Sequence, residues 1–395
     1  MGTKSRADET TAKQPTNARR VGAQTMKWIG GATVILSLVF GLQQLGSSIT
    51  ESRKRHQQIE QALVAAQSQE DAGDFAAAWG TLDKAAQAAG AERELQVAQA
   101  DLAMRWLETR RGADVQTFDA NKLLPVLVRA AATAAGARKA DLLAHVGWAQ
   151  GLRSYENDFR SQATAYYDQA IQAEPQNAYA HAMQAYGVLL RAGPNEAEIE
   201  HALEYSRREF GISLATGRGH DFVRELQLGA LCGHEDLREG KYPRVDAECL
   251  AVLNGMRVAQ ETLSAQVLET TLTLYSRRLA PHIEFTFYSR RHAPSVDDNT
   301  EKVVESPALR SFLGASSPAD HLATFSWLFD RAAIDPSKNY MKEYFRATLL
   351  EAAAQPAEAL KTLQKARTGV PDGDYSFRVA FDDRIRRLSK APHAR

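Results

Sequence analysis

One segment of the sequence stands apart because it carries no charge and is almost continuously apolar. It runs from Trp28 to Ile49, and its 22 residues exceed the roughly 20 that a helix needs to cross a bilayer core of ~30 Å. The pattern predicts a transmembrane helix over residues 27–49. A cleaved signal peptide is the alternative. Such peptides have a shorter apolar core and an A-x-A-like cleavage site, whereas Gln43-Gln44-Leu45-Gly46 follows Leu42 here, so an uncleaved signal anchor is favoured.

From residue 50 onward, apolar residues recur at intervals of three and four, which is the spacing of one face of a helix. Long windows lack the alternating Val, Ile and Thr runs that are typical of strands. The pattern predicts an all-α body of successive helices. Two stretches differ: the alternating aromatic residues of HIEFTFYSRRH favour a strand or extended connector, and SVDDNTEKVVESP reads as a polar loop.

The charge distribution predicts an orientation in the membrane. Positive residues flanking a membrane helix tend to stay in the cytoplasm, so we expect a cytoplasmic N-terminus and an extracytoplasmic body, periplasmic in a Gram-negative bacterium. The triplet Arg53-Lys54-Arg55 after the apolar segment weakens this asymmetry. Residues 1–26 are poor in large apolar groups and are predicted to be disordered. Residues 1–27 contain six positive residues, Lys4, Arg6, Lys13, Arg19, Arg20 and Lys27, against Asp8 and Glu9.

Three segments share a spacing of small, large and small residues at intervals of four and three. They resemble the second helix of a tetratricopeptide (TPR) repeat, in which small residues let the two helices of a hairpin approach and the large residue fills the groove between them. Pro175 and Pro371 come five residues after two of the copies, where a helix must stop, and Gly90 takes that place in the first. The copies are Ala78-Leu82-Ala85, Ala163-Tyr167-Ala170 and Ala359-Leu363-Ala366.

The resemblance is partial, because the first copy lacks the Trp, Leu-Gly and Tyr of that family's first helix and the copies do not follow its period of about 34 residues. It implies a TPR-like α-solenoid of helix hairpins, and together with the apolar segment it predicts an all-α fold in which a single transmembrane helix precedes this solenoid. The expected divisions are a disordered basic tail (1–26), the signal-anchor helix (27–49), TPR-like repeats (50–216), an irregular helical region (217–310) and a helical region with a C-terminal TPR-like hairpin (311–395).

Candidate chemistry is sparse. Cys232, His234 and Glu235 cluster, but they lack a CxxC, an HExxH or a second Cys-His pair, so no metal site is expected. With only two cysteines, Cys232 and Cys249 are either a single disulfide across a hairpin or, by default, two buried free thiols. Thr216-Gly217-Arg218-Gly219 favours a helix–helix turn over a phosphate-binding loop. The Ser-Arg-Arg triplets at 206–208, 276–278 and 289–291 favour local ion pairs over an anion-binding surface.

The sequence therefore predicts a non-enzymatic scaffold that binds a protein or peptide partner near the membrane, without a cofactor. A nearly neutral body gives no support for nucleic-acid binding. Tyr179 and Tyr186 are seven apart and share a helix face, which would either line the groove implied by the resemblance or lie in the core. Thr33, Ser37 and Gly41 form a small-residue stripe that would allow a homodimer through the membrane helix. The alternative is an enzyme or metalloprotein with its site within residues 217–299.

Overall fold

The computed structural model describes residues 51–90, 92–109, 118–153, 159–193, 195–233, 243–279, 307–332 and 334–390. The predicted membrane helix and its residues Thr33, Ser37 and Gly41 lie outside these ranges, as do the predicted extended connector and the polar loop, except that its last residue, Pro307, begins a helix. Among the residues described, no helix is both long and apolar enough to span a bilayer. The chain divides into two compact units, Met1–Leu102 and Ala103–Arg395, with the boundary inside a helix.

The first unit contains helix α1 (residues 51–71), helix α2 (Phe75–Ala89) and the start of helix α3 (Arg93–Glu108). The turn between α1 and α2 places Gly73 at φ +78°, and the Asp74 side chain caps α2 by accepting a hydrogen bond from the Ala77 amide. The Thr81 hydroxyl donates to Gln69 across the two helices at 2.9 Å. The pair is therefore a helix hairpin, with Trp79 and Leu82 buried.

In the second unit, successive helices form further hairpins. Each first helix packs against its own second helix, in the pairs α5–α6, α7–α8 and α9–α10, and the first helices α5, α7, α9 and α11 also pack in a row. The architecture is an all-α array of helix hairpins. Its helices are α4 (Phe118–Thr133), α5 (Gly136–Arg153), α6 (Phe159–Ala173), α7 (Ala178–Leu190), α8 (Glu196–Ala215), α9 (His220–Cys232), α10 (Pro243–Val258), α11 (Ala265–Leu279), α12 (Pro307–Gly314), α13 (Pro318–Arg331), α14 (Asn339–Ala352), α15 (Pro356–Arg367) and α16 (Tyr375–Lys390).

The small–large–small spacing marks the second helix of a hairpin in all three copies. In α6, Ala163, Tyr167 and Ala170 are all buried, and Ala359 and Leu363 are buried in α15. The large residue packs where the facing helix is small: a Cβ built on Gly147 of α5 would lie 2.6 Å from the Tyr167 ring and 3.0 Å from the Ala163 carbonyl oxygen. The contact between α5 and α6 thus depends on a residue without a side chain.

We expect Gly147→Ala to destabilise the protein even though alanine is the better helix former. The added methyl group has no room against the Tyr167 ring and the Ala163 backbone. Overpacking of this kind costs about 1–3 kcal/mol, which exceeds the gain of up to ~1 kcal/mol in helix propensity. Denaturant unfolding of the purified full chain measures the difference.

The matched control is Gly211→Ala in α8, where a Cβ would meet no atom within 4 Å. Here the propensity gain stands alone, so this variant should be more stable than the parent by roughly 0.5–1 kcal/mol. The two substitutions are chemically identical, and a shift of the same sign in both would refute the tight α5–α6 packing.

The two cysteines form a disulfide, so the default expectation of free thiols is wrong. Cys232 ends α9, Cys249 lies in α10, and their Cα atoms are 5.4 Å apart. The 17-residue separation in sequence is closed because α9 and α10 pack as a hairpin that brings the two positions together. Cys232 is therefore not available as a thiolate metal ligand.

Three arginines of the two described Ser-Arg-Arg triplets form ion pairs, but the prediction of local ion pairs is confirmed for Arg208 alone. Arg207 binds Glu248 of α10 through two hydrogen bonds of 3.0 and 2.8 Å, and Arg208 pairs with Glu209. Arg278 pairs with Asp246 inside the protein, where both side chains are buried. The third triplet lies outside the described residues. The pairs of Arg207 and Arg278 link different helices.

Candidate functional site

The two tyrosines singled out from the sequence lie on α7, in the middle of the row of first helices, and both are partly exposed. Asn177 begins this helix and is fully buried; its side chain accepts a hydrogen bond from the Ala180 amide at 2.9 Å. Tyr179 therefore stands in the first turn, and Tyr186 lies two turns further along the same face. Their partial exposure means that neither is simply a core residue.

The tyrosines belong to an aromatic cluster built by three adjacent first helices, α5, α7 and α9. The Tyr186 ring lies edge-on to Trp148 with centroids 5.5 Å apart, and Tyr179 lies 6.0 Å from Phe222. The rings of Trp148 and Phe222 also lie edge-on to each other, with centroids 6.1 Å apart, and both residues are buried. The Trp148 indole N–H donates to the Leu107 carbonyl oxygen at 3.1 Å, which holds the ring in place. Two partly exposed rings thus rest on a buried and oriented base.

A glycine turn lets α9 approach Tyr179. Gly217 and Gly219 have φ of +70° and +56°, and a Cβ on Gly219 would lie 2.9 Å from the tyrosine ring. Residues 216–219 therefore form the helix–helix turn that the sequence predicted, between α8 and α9. Arg218, between the two glycines, forms ion pairs with the carboxylates of Asp141 and Glu174.

A polar network surrounds the Tyr179 end of the cluster. Arg218 pairs with Asp141 and, at 3.2 Å, with Glu174, while the Asn177 amide donates to the same two carboxylates at 2.7 and 2.8 Å. Burial raises the pKa of the Asp141 carboxyl, and the hydrogen bond from Asn177 and the charge of Arg218 oppose that rise. Asp141 is thus partly desolvated, and its pKa lies above the usual carboxyl value despite these partners.

His145 connects this network to the end of α3. One of its ring nitrogens, Nδ1, lies 2.7 Å from the Asp141 carbonyl oxygen, and the other lies 3.0 Å from the Glu108 carboxylate. The Tyr179 hydroxyl also bonds to Glu108, and its pKa is raised, first by burial and then by the charge of that carboxylate. The Tyr179 and His145 rings are 4.7 Å apart. Tyr179 is therefore fixed both by its ring contacts and by its hydroxyl.

The arrangement orients side chains and contains no nucleophile paired with a base. Its polar groups bond to one another, and among the described residues no group of His, Cys, Asp and Glu has the arrangement of a metal site. His234 and Glu235 of the alternative site lie outside the described residues, and their neighbour Cys232 is in the disulfide. A rigid, partly exposed aromatic face beside charged groups is suited to contact another molecule.

Sequence reasoning proposed Tyr179 and Tyr186 as contact residues and did not propose the residues that pack beneath them. Asp141, His145 and Trp148 of α5 follow one another at intervals of four and three, which places them on one helix face, as for the tyrosines of α7. That spacing can be read from the sequence. The contacts of these residues with Phe222 and Arg218 cannot, because they depend on how α5, α7 and α9 pack.

Comparisons with known proteins add little to this description. No protein-family model matches the sequence, and neither does any curated protein. Among solved structures, the chain is similar to the crystal structure of a tetratricopeptide repeat protein from Parabacteroides merdae. The sequence identity is 10% and the TM-score 0.35, and the similarity covers 85% of this chain and 100% of that one. A similarity this distant supports no further conclusion about this chain.

Proposed function

We propose that this protein is a membrane-anchored, TPR-like scaffold that binds a protein partner beside the membrane and is not an enzyme. The observation that carries the proposal is the face of α7, where Tyr179 and Tyr186 are partly exposed on a base of buried rings. Stacked helix hairpins offer extended concave surfaces for such binding. Rigid aromatic side chains lose little entropy when a partner covers them, which makes them effective contact residues.

The partner in this proposal is a peptide or an extended segment of a protein lying across α5, α7 and α9. It would cover the tyrosine rings and meet the polar groups around Asp141 and Arg218. The pairing of Arg218 with Asp141 and Glu174 already satisfies much of the charge there. Apolar contact with the rings therefore supplies most of the affinity, and the polar groups set the register.

Replacing both tyrosines, Tyr179→Ala with Tyr186→Ala, should weaken partner capture by roughly tenfold or more, since truncated aromatic anchors commonly cost 2 kcal/mol or above. The measurement is affinity capture from solubilised membranes with the tagged full chain, followed by titration of the recovered partner. Thermal unfolding of the same variant checks that the fold survives.

The control is Tyr205→Ala, which removes a partly exposed tyrosine from α8, a second helix of a hairpin outside the row. This variant should retain the partner at full affinity. Equal recovery by the Tyr179/Tyr186 double variant and the parent would contradict the proposed site. A membrane extract that yields no partner for the full chain beyond those of a truncated anchor would contradict the scaffold function itself.

The proposed location is a single-pass membrane protein with its N-terminus in the cytoplasm and its body outside. Support comes from the uncharged segment Trp28–Ile49 and from the excess of four positive charges in residues 1–27. The Cys232–Cys249 disulfide fits an oxidising compartment. A reporter fused after Arg395 that is active only in the cytoplasm would reverse this orientation.

A homodimer through the membrane helix is part of the same proposal. Thr33, Ser37 and Gly41 fall four apart, and such small residues let two helices come into close contact. Gly41→Ile would hold the backbones apart and should reduce crosslinking between copies in the membrane. Unchanged crosslinking in that variant would reject the stripe as an interface.

A further inference from the structure

Helix α1 has an exposed stretch at the start of its described residues. Residues 51–58 are all exposed, and Ile59 is the first buried residue of the helix. Eight residues cover more than two turns, so every side of the helix is open over about 12 Å of its length. A helix stabilised by tertiary packing normally buries one face in every turn. The start of α1 lacks that support from the part of the chain that the structure describes.

This open stretch carries a concentrated positive charge. Arg53, Lys54 and Arg55 are consecutive, and at ~100° per residue they spread over roughly 200° of the helix circumference. Glu51 is the sole acidic residue between positions 51 and 58, which leaves a net charge of +2. Arg55 lies 3.9 Å from Glu92, and within the described residues the structure gives Arg53 and Lys54 no ion-pair partner. The cations form a collar around the helix rather than a stripe along it.

The position of the collar matches the depth of lipid headgroups. The uncharged segment ends at Ile49, and a helix continuing from there rises about 1.5 Å per residue, so residues 53–55 would lie roughly 6–9 Å beyond the apolar core. The headgroup layer is about 5–8 Å thick on each side of that core. A collar suits a helix that stands upright in the membrane, because headgroups then surround it on all sides.

We propose that Arg53, Lys54 and Arg55 bind the anionic headgroups of the leaflet from which the body emerges. The inference rests on the membrane anchor of the proposed function and adds a lipid partner to it. Lipid phosphates would surround residues 51–58, all of which are exposed in the part of the chain that the structure describes. Each cation near an anionic surface favours association by about fivefold. The triplet on the exported side opposes the positive-inside preference, and headgroup binding gives it a role there.

The test uses the full chain in lipid nanodiscs made of phosphatidylcholine alone or of phosphatidylcholine mixed with phosphatidylglycerol. Hydrogen exchange of the backbone amides in residues 51–58 should be slower by roughly fivefold or more in the anionic discs. Salt near 1 M, where the screening length is about 3 Å, should remove the difference. A peptide from α9 should exchange equally in both discs.

The variant is Arg53→Gln, Lys54→Gln and Arg55→Gln combined, and it should exchange at the fast rate in both discs. The matched control removes three exposed cations elsewhere, Lys361→Gln, Lys365→Gln and Lys390→Gln, and should keep the lipid-dependent protection. Equal exchange of the parent in the two discs would overturn the proposal. So would protection that survives the triple substitution at the collar, or protection that appears only with other membrane proteins present.

These outcomes separate the lipid contact from the anchor and from partner binding. A chain that enters neither disc would contradict the anchor and the collar together. A chain that enters both but exchanges equally would contradict the collar alone. Capture of a partner through Tyr179 and Tyr186 is measured on a different unit of the protein, so its failure leaves the exchange result unaffected.

Discussion

Asp246→Ala is expected to lower the free energy of unfolding by about 3–5 kcal/mol, because it breaks a buried ion pair by removing the carboxylate with which the Arg278 guanidinium pairs. Asp246 is 2% exposed and Arg278 7% exposed. Asp246 also accepts a hydrogen bond of 3.0 Å from the Ser311 hydroxyl, and the guanidinium lies 5.4 Å from the centre of the Phe312 ring. The pair therefore joins α10, α11 and α12. Denaturant unfolding of the full chain measures the loss.

Two further variants test whether this loss of stability comes from breaking the buried ion pair. Arg207→Ala breaks the exposed pair with Glu248, and such surface pairs contribute about 0.2–1 kcal/mol. The double variant Asp246→Leu with Arg278→Met removes both buried charges and should recover much of the loss. If Asp246→Ala costs no more than Arg207→Ala, the buried pair does not have the role assigned to it.

Removing the disulfide by Cys232→Ser with Cys249→Ser should cost about 2–4 kcal/mol. The bridge closes a loop over a sequence separation of 17 residues and restricts the unfolded chain. It also ties α9 to α10, so α9 would lose part of its support beneath the tyrosine face. Unfolding of the double variant is compared with that of the parent before and after treatment with a reductant.

Reduction should move the parent to the stability of the serine variant and should leave the variant unchanged. A parent that is equally stable oxidised and reduced would show that the bridge contributes nothing. A bridge formed in the cell would fit the proposed extracytoplasmic location of the body, since disulfides persist in oxidising compartments.

The proposed interaction face and the disulfide are linked through α9. Phe222 of α9 supports Tyr179, and Cys232 at the other end of that helix is bound to α10. Between them, a Cβ on Gly229 would lie 3.8 Å from the Tyr186 ring, so α9 runs close to both tyrosines. Anchoring α9 at its end therefore helps to keep the two rings in fixed positions. We expect the double serine variant to bind a partner more weakly than the parent, because α9 would be held less firmly beneath the two tyrosines.

The helices themselves were predictable from the sequence, because their determinants are local. Apolar residues at intervals of three and four mark one helix face, and Gly90, Pro175 and Pro371 follow the ends of helices. The small residues of the three repeat-like segments indicated close helix pairing. In the structure, α5 and α6 come so close that a Cβ on Gly147 would clash with the Tyr167 ring. The turn at 216–219 was equally readable, since a left-handed backbone conformation favours glycine.

The pairing of distant residues was decided by the tertiary structure alone. Arg218 is 77 residues from Asp141, and Asp246 is 32 residues from Arg278; no local spacing encodes either contact. The sequence could not decide between free thiols and a disulfide for the same reason, since two cysteines in separate helices form a disulfide only if those helices pack together. Whether Tyr179 and Tyr186 face a groove or the core also depended on the neighbouring helices α5 and α9. Helix formation follows from nearby residues, whereas the site follows from packing between helices, which sequence periodicity does not specify.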